Sequence, residues 1–252
     1  MTELLAIRRL LLALPDGRLE SARLQSLAAL AVRMEVELMA LFVEDEGLLR
    51  AGRLPVALEV GHVSARVRGL SGQAVEIALR SAAERTRQVL EATARASSLP
   101  FSFQVARGRP LASALAFAGE VDAVLFPGRA SFVPGARKRH APAIVMLAAG
   151  EELPRRVAAA LRFADACGAE AIFGLLADDE AGYLALRQDV QTLLGARLRG
   201  VRFLRASGPV VETTCRAARD YHAATVAVPA TLSPAILGEL MLRLRCPLLL
   251  LS

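Results

Sequence analysis

A chain punctuated by nine short, almost uninterrupted apolar runs has few ways to fold. The runs lie at 7–14, 36–43, 101–107, 122–127, 143–148, 169–176, 199–205, 223–228 and 247–251. Runs this short, without polar alternation, predict strands covered on both faces, as in a parallel sheet. Between them apolar residues recur at helical spacing. Leu24, Leu27, Ala28 and Ala31 form one stripe, and Val75, Leu79, Ala82, Val89 and Leu90 another. Further stripes are Val157, Ala160, Leu161 and Ala164; Leu186, Val190, Leu193 and Leu194; Val211, Thr214, Cys215 and Ala218; and Ile236, Leu237, Leu240 and Leu244. Strand–helix alternation predicts βαβ units. Right-handed crossovers then place helices on both faces of a doubly wound sheet.

The order of pieces also repeats. Residues 7–46 read as strand, acidic turn, helix, strand, acidic turn, and 143–180 read the same way. Residues 103–128 and 202–230 both read as strand, Gly then Pro, helix, short turn, strand. The repeat predicts two units, 1–141 and 142–252. Two five-strand units need ten strands, and only nine runs exist. Because the helix after 143–148 matches the first helix of the repeat, that strand is assigned to the second unit.

Composition removes several functional classes. Of 252 residues, 54% are apolar and 22% charged, which excludes a disordered chain. Aromatics are 4% and Trp is absent, a poor basis for stacking on bases. The net charge of +6 rests on 31 basic residues, all arginine except Lys138. A modest positive field favours anionic partners, but no helix-turn-helix or zinc-finger spacing supports DNA as one. Cys167, Cys215 and Cys246 lie far apart with no CxxC, so they read as small buried residues and not as a metal or redox site. The N-terminal apolar stretch is too short for a signal peptide, and no window approaches about 18 apolar residues. These features predict a cytoplasmic protein without membrane insertion.

Pro15-Asp16-Gly17 after the first strand, Leu41-Phe42-Val43 ending the second, and Arg107-Gly108-Arg109-Pro110 before a helix form an ordered series. It continues with Asp122 to Arg129 and closes with Leu244-Arg245-Cys246-Pro247 leading into four leucines. Over nearly the whole chain this series resembles the universal stress protein family in its tandem form. The resemblance implies an α/β fold of two tandem doubly wound parallel sheets, of the adenine nucleotide alpha hydrolase-like kind, with helices on both faces. It also implies ATP or AMP as the ligand of those members that carry an Asp after the first strand and a Gly-x2-Gly-x9-Gly-Ser/Thr loop after the fourth. Glycines there let the backbone approach phosphates.

On that pattern the first unit would contact a nucleotide through Asp16, Gly17, Val43, Gly108, Gly128, Arg129, Arg137 and Lys138. The motif is degenerate, however. Ser131 replaces the second glycine and Gly135 is out of register; in the second unit Ala230 opens the loop and Gly150-Glu151 stands at the acidic position. Simpler readings exist as well: Pro15-Asp16-Gly17 and Gly128 as turns, and Arg129 to His140 as a solvated basic loop.

Glu44-Asp45-Glu46 lacks calcium-loop spacing and reads as a helix cap, so no metal is expected. The long connection 44–73 lies at the carboxyl ends of strands, where it could serve as a lid. His62, His140 and His222 are isolated, and GxSxG, HExxH, Walker and GxGxxG motifs are absent. No enzyme is expected. The reading is a stress-linked interaction or regulatory protein with an unidentified protein partner; the alternative is an adenine-nucleotide sensor. Because a fifth strand is missing from the first unit, the run 247–251 must pair with the 122–127 edge or with its own copy across a two-fold axis. The second option predicts a homodimer.

Overall fold

The computed structural model describes residues 7–15, 19–54, 56–60, 67–128, 141–198 and 201–252. In the first unit β1 (Arg9–Leu14), α1 (Ser21–Met34) and β2 (Glu37–Asp45) are followed by α2 (Glu46–Ala51), β3 (Leu58–Val60) and β4 (Val67–Gly69). Then come α3 (Gly72–Ala96), β5 (Phe101–Gly108), α4 (Pro110–Leu115) and β6 (Ala123–Phe126). The second unit runs β7 (Ala143–Ala148), α5 (Leu153–Cys167), β8 (Ala171–Leu176), α6 (Glu180–Leu194) and β9 (Arg202–Ala206). It ends with α7 (Val210–Asp220), β10 (Thr225–Pro229), α8 (Pro234–Arg243) and β11 (Leu248–Leu251).

All nine apolar runs become strands of one sheet, in the order β5-β2-β1-β6-β11-β10-β7-β8-β9. Strands within each unit are parallel, as the uninterrupted runs require. Strand β7 pairs with β8 and β10, which puts it at the centre of the second unit. The units meet where β11 runs antiparallel to β6, Leu248 opposite Phe126 and Leu251 opposite Ala123. The expected pair of sheets is therefore one continuous mixed sheet.

This seam decides the pairing of 247–251 in favour of the 122–127 edge of the same chain, and not the expected edge-to-edge pairing with a second copy. Leu248–Leu251 is hydrogen-bonded to β10 on one side and β6 on the other, and all four leucines are buried. No free edge remains there for a second copy. The physical cause is the missing fifth strand of the first unit: it leaves β6 open, and β11 fills the gap. Burying one leucine contributes about 1.5–3 kcal/mol, so the run stabilises the seam strongly.

Alternation along the strands sorts two cores. Leu10, Leu12 and Leu14 face the layer of α1, α3, α5 and α6, where Leu27, Leu79, Phe163 and Val190 are buried. Leu11 and Ala13 face α4, α7 and α8, where Ala114, Cys215 and Leu240 are buried. Local chemistry sets the helix ends. Ser71 caps α3 by accepting from the Ala74 N–H, Asp179 caps α6 by accepting from the Gly182 N–H, and Gly168 ends α5 at φ 64°.

The long connection holds a short helix and an antiparallel two-stranded ribbon, β3 with β4, which periodicity did not reveal because each strand has only three residues. Asp45 caps α2 through the Gly47 N–H at 2.6 Å, and Glu44 pairs with Arg107 at 3.0 Å. The acidic run thus serves as a cap and an ion pair. Among the described residues no group of acids, His or Cys is arranged to hold a metal.

Candidate functional site

In open α/β sheets ligands bind beyond the carboxyl ends of the strands. At that end of the first unit, Asp16 and Gly17 follow β1, and Arg129, Arg137 and Lys138 follow β6; all five lie outside the described residues. The other three residues of the expected set are placed. Val43 is fully buried among the residues that face α4 and α8. Gly108 ends β5 opposite Asp45, and a Cβ there would come within 3.0 Å of Ser113 Oγ, so the glycine permits the turn into α4. Gly128 lies two residues past β6. Strands β2 and β1 stand between Gly108 and Gly128, a separation of three strand spacings or roughly 14 Å. The structure does not bring these two glycines into contact.

Gly128 is glycine for a reason visible in the packing. A Cβ at this position would overlap the main chain of Arg245 and Cys246, which cross it on their way into β11. Its carbonyl accepts a hydrogen bond from the Arg23 guanidinium of α1. In the first unit the exit of the fourth strand is thus packed against backbone from the second unit.

The carboxyl ends of the second unit are built differently. The N–H of Ala230 donates to the Leu251 carbonyl at 2.8 Å. Ser233 then caps α8 through the Ile236 N–H, and Pro234 occupies the first turn. Arg156 of α5 reaches this loop: its Nη2 donates to Thr231 Oγ1 at 3.4 Å. The residue is 5% exposed, and its Nε has no hydrogen-bond partner. Burial pulls the Arg156 pKa down, and Glu152 opposes the shift through space. Sequence reasoning missed Arg156 among so many arginines. The available signal was its position, in line with Leu153, Ala160 and Phe163 on the apolar stripe of α5, where a charge needs an explanation.

At the outer edge of the second unit, a cleft of about 210 Å³ opens between α7 and β9. Met146, Gly174 and Leu204 line it together with Arg205, Asp220 and Tyr221. None of the described residues of the expected set reaches it. Arg205 is ion-paired with Glu180 and stacks on Tyr183. Ser207 and Thr213 line the cleft too, and the Thr213 hydroxyl donates to the Ser207 carbonyl at 3.0 Å. His222 is exposed with φ 50°, while His62 and His140 lie outside the described residues.

The three thiols are free. Burial raises the pKa of Cys167 to about 12, with Arg33 opposing, and that of Cys246 to about 11. Burial raises Cys215 as well, against Arg243 and Arg219. None is poised as a thiolate nucleophile.

No model of a known protein family matches the chain, and no curated protein does. Solved structures do. A universal stress protein from Archaeoglobus fulgidus DSM 4304 superposes with a TM-score of 0.60 at 13% identity, over 96% of this chain and 96% of that one. A putative universal stress protein from Pseudomonas aeruginosa UCBPP-PA14 matches with a TM-score of 0.52 at 14% identity, over 98% of this chain and 94% of that one. A functionally unknown protein from Pseudomonas aeruginosa PAO1 matches with 0.50 at 15% identity, over 100% of this chain and 94% of that one. The chain has the universal stress protein fold. No helix among the described residues is long and apolar enough to cross a membrane.

Proposed function

We propose that this chain works by binding and not by catalysis, as a cytoplasmic regulatory or interaction protein of the universal stress type whose nucleotide clefts are degenerate. The observation that carries the reading is the packing of the Arg245–Cys246 main chain on Gly128. A phosphate cradle needs free backbone at that exit, and here another backbone occupies one side of it. The protein partner would supply the specificity that the clefts lack.

The test is mass spectrometry of small molecules released from purified, denatured protein, joined to thermal unfolding with added ATP or AMP. Empty protein and an unshifted midpoint are expected. Near-stoichiometric ATP or AMP would overturn the reading in favour of an adenine-nucleotide sensor. The contacts to mutate would then be Asp16, Gly17, Arg129, Arg137 and Lys138.

A further inference from the structure

The sheet ends on two strands, β5 and β9, each with a single neighbour in it. Natural sheets guard such edges with short strands and charged side chains, because unpaired N–H and C=O groups recruit further strands. Strand β9 has both devices: it is 5 residues long, and Arg202 and Arg205 are charged. Strand β5 has 8 residues, no proline and a single charge, Arg107, which is already paired with Glu44 at 3.0 Å. The Leu38 N–H of β2 donates to the Pro100 carbonyl. By the alternation of a strand, Ser102, Gln104 and Ala106 then turn their main-chain groups toward β2, and Phe101, Phe103, Val105 and Arg107 turn theirs outward. In the middle of this free edge Val105 is 52% exposed, on the face where Phe101 and Phe103 pack against the core.

We propose that β5 is the surface through which two copies of this chain associate, the two strands running antiparallel about a two-fold axis at Gln104. One register uses every outward group from Phe101 to Arg107. In it Phe101 stands opposite Arg107 of the second copy and Phe103 opposite Val105 of the second copy, and the reciprocal pairs follow, for about eight ladder hydrogen bonds. A typical interface carries about ten. The same register is self-complementary, as a two-fold contact requires. Each Val105 is covered by the Phe103 of the other copy, a β-branched side chain against an aromatic one. Arg107 meets a phenyl ring and not its own like charge. Gln104 meets Gln104, whose amide both donates and accepts. An antiparallel joint of this kind already exists inside the chain, where β11 lies on β6. The contact at β5 is independent of that joint and of any ligand in the clefts.

The experiment is sedimentation equilibrium of the full chain from low to high micromolar concentration, joined to disulfide trapping. The wild type should be dimeric at the upper end. Val105→Lys puts a charge on an exposed edge position; it should melt with the wild type and weaken the dimer about ten-fold or more. Gln104→Cys should form a disulfide-linked dimer on mild oxidation, above the wild-type background. Directly opposed residues at a non-hydrogen-bonded pair have Cα atoms about 4.5 Å apart, within disulfide reach. Val105→Cys should not be trapped, because in this register the two copies of that position are offset by two residues, beyond the limit of about 7 Å. Should Val105→Lys fail to fold, the two cysteine variants decide alone. A wild type that stays monomeric would overturn the proposal and leave the edge to an extended segment of another protein. A dimer unweakened by Val105→Lys, or trapping of Val105→Cys as strong as that of Gln104→Cys, would overturn it as well.

Discussion

The carboxylate of Asp122, at the start of β6, receives the guanidinium of Arg155, from the first turn of α5, across the seam between the two units. The same carboxylate accepts the backbone N–H of Arg8 at 2.7 Å and of Arg9 at 2.9 Å. One side chain therefore ties β1, β6 and α5 together. Burial would raise the Asp122 pKa, but these donors outweigh it and hold the group below its ordinary value.

That depression sets a pH dependence. A carboxylate with a lowered folded pKa stabilises the fold above the unfolded value of about 3.9, and the contribution is lost as pH falls through the folded value. Asp122→Ala should cost about 2–3 kcal/mol at pH 7, from lost hydrogen bonds to a charged group. Urea unfolding at pH 7 and at pH 3 checks this. The gap between variant and wild type should narrow in acid, and an equal gap at both values would refute the assignment.

Gly128→Ala drives a Cβ into the Arg245–Cys246 main chain. Backbone cannot swing aside as a side chain does, so a loss of about 3 kcal/mol is expected in ligand-free protein. Denaturant titration without any nucleotide separates this from a phosphate role. A variant as stable as the wild type would show that the Arg245–Cys246 main chain leaves room for a Cβ at this position.

Leu249→Pro should unfold the chain and not merely separate two copies. Leu249 sits in a strand with neighbours on both sides, facing Leu125 of β6 and Ala227 of β10. Proline removes a ladder donor in such a strand and costs about 3 kcal/mol or more. Circular dichroism melting should show a large loss. A well-folded variant with altered mass by light scattering would restore the edge-to-edge dimer.

Thiol chemistry offers an independent check on the core. With pKa values of about 12 for Cys167 and about 11 for Cys246, the thiolate fraction at pH 8 is small. All 3 cysteines should react slowly with a disulfide reagent in native buffer and rapidly in urea. Fast native labelling of one thiol, mapped by peptide mass, would identify a cysteine that the fold leaves open.

The candidate site was only partly legible. Gly128 stands out in the sequence as a glycine after a strand, but a sequence cannot distinguish a ligand's approach from that of another backbone. Here the approach comes from Arg245–Cys246, more than a hundred residues away. Arg156 was hidden for the opposite reason. Its chemistry is common in this chain, and only burial makes it unusual.

The sequence by itself determined the nine strands of the main sheet, the long helices between them and their parallel order within each unit. Those follow from local hydrophobic period and from the short reach of each connection. It also determined that Leu248–Leu251 had to be covered. Only the tertiary structure decided what covers it. Periodicity specifies which faces of a strand are buried and is silent about which edge a strand will meet, so the choice between a second copy and β6 rested on three-dimensional proximity. Because the second unit comes back antiparallel to the first, β11 reaches the open edge of β6 and joins two repeats into one sheet.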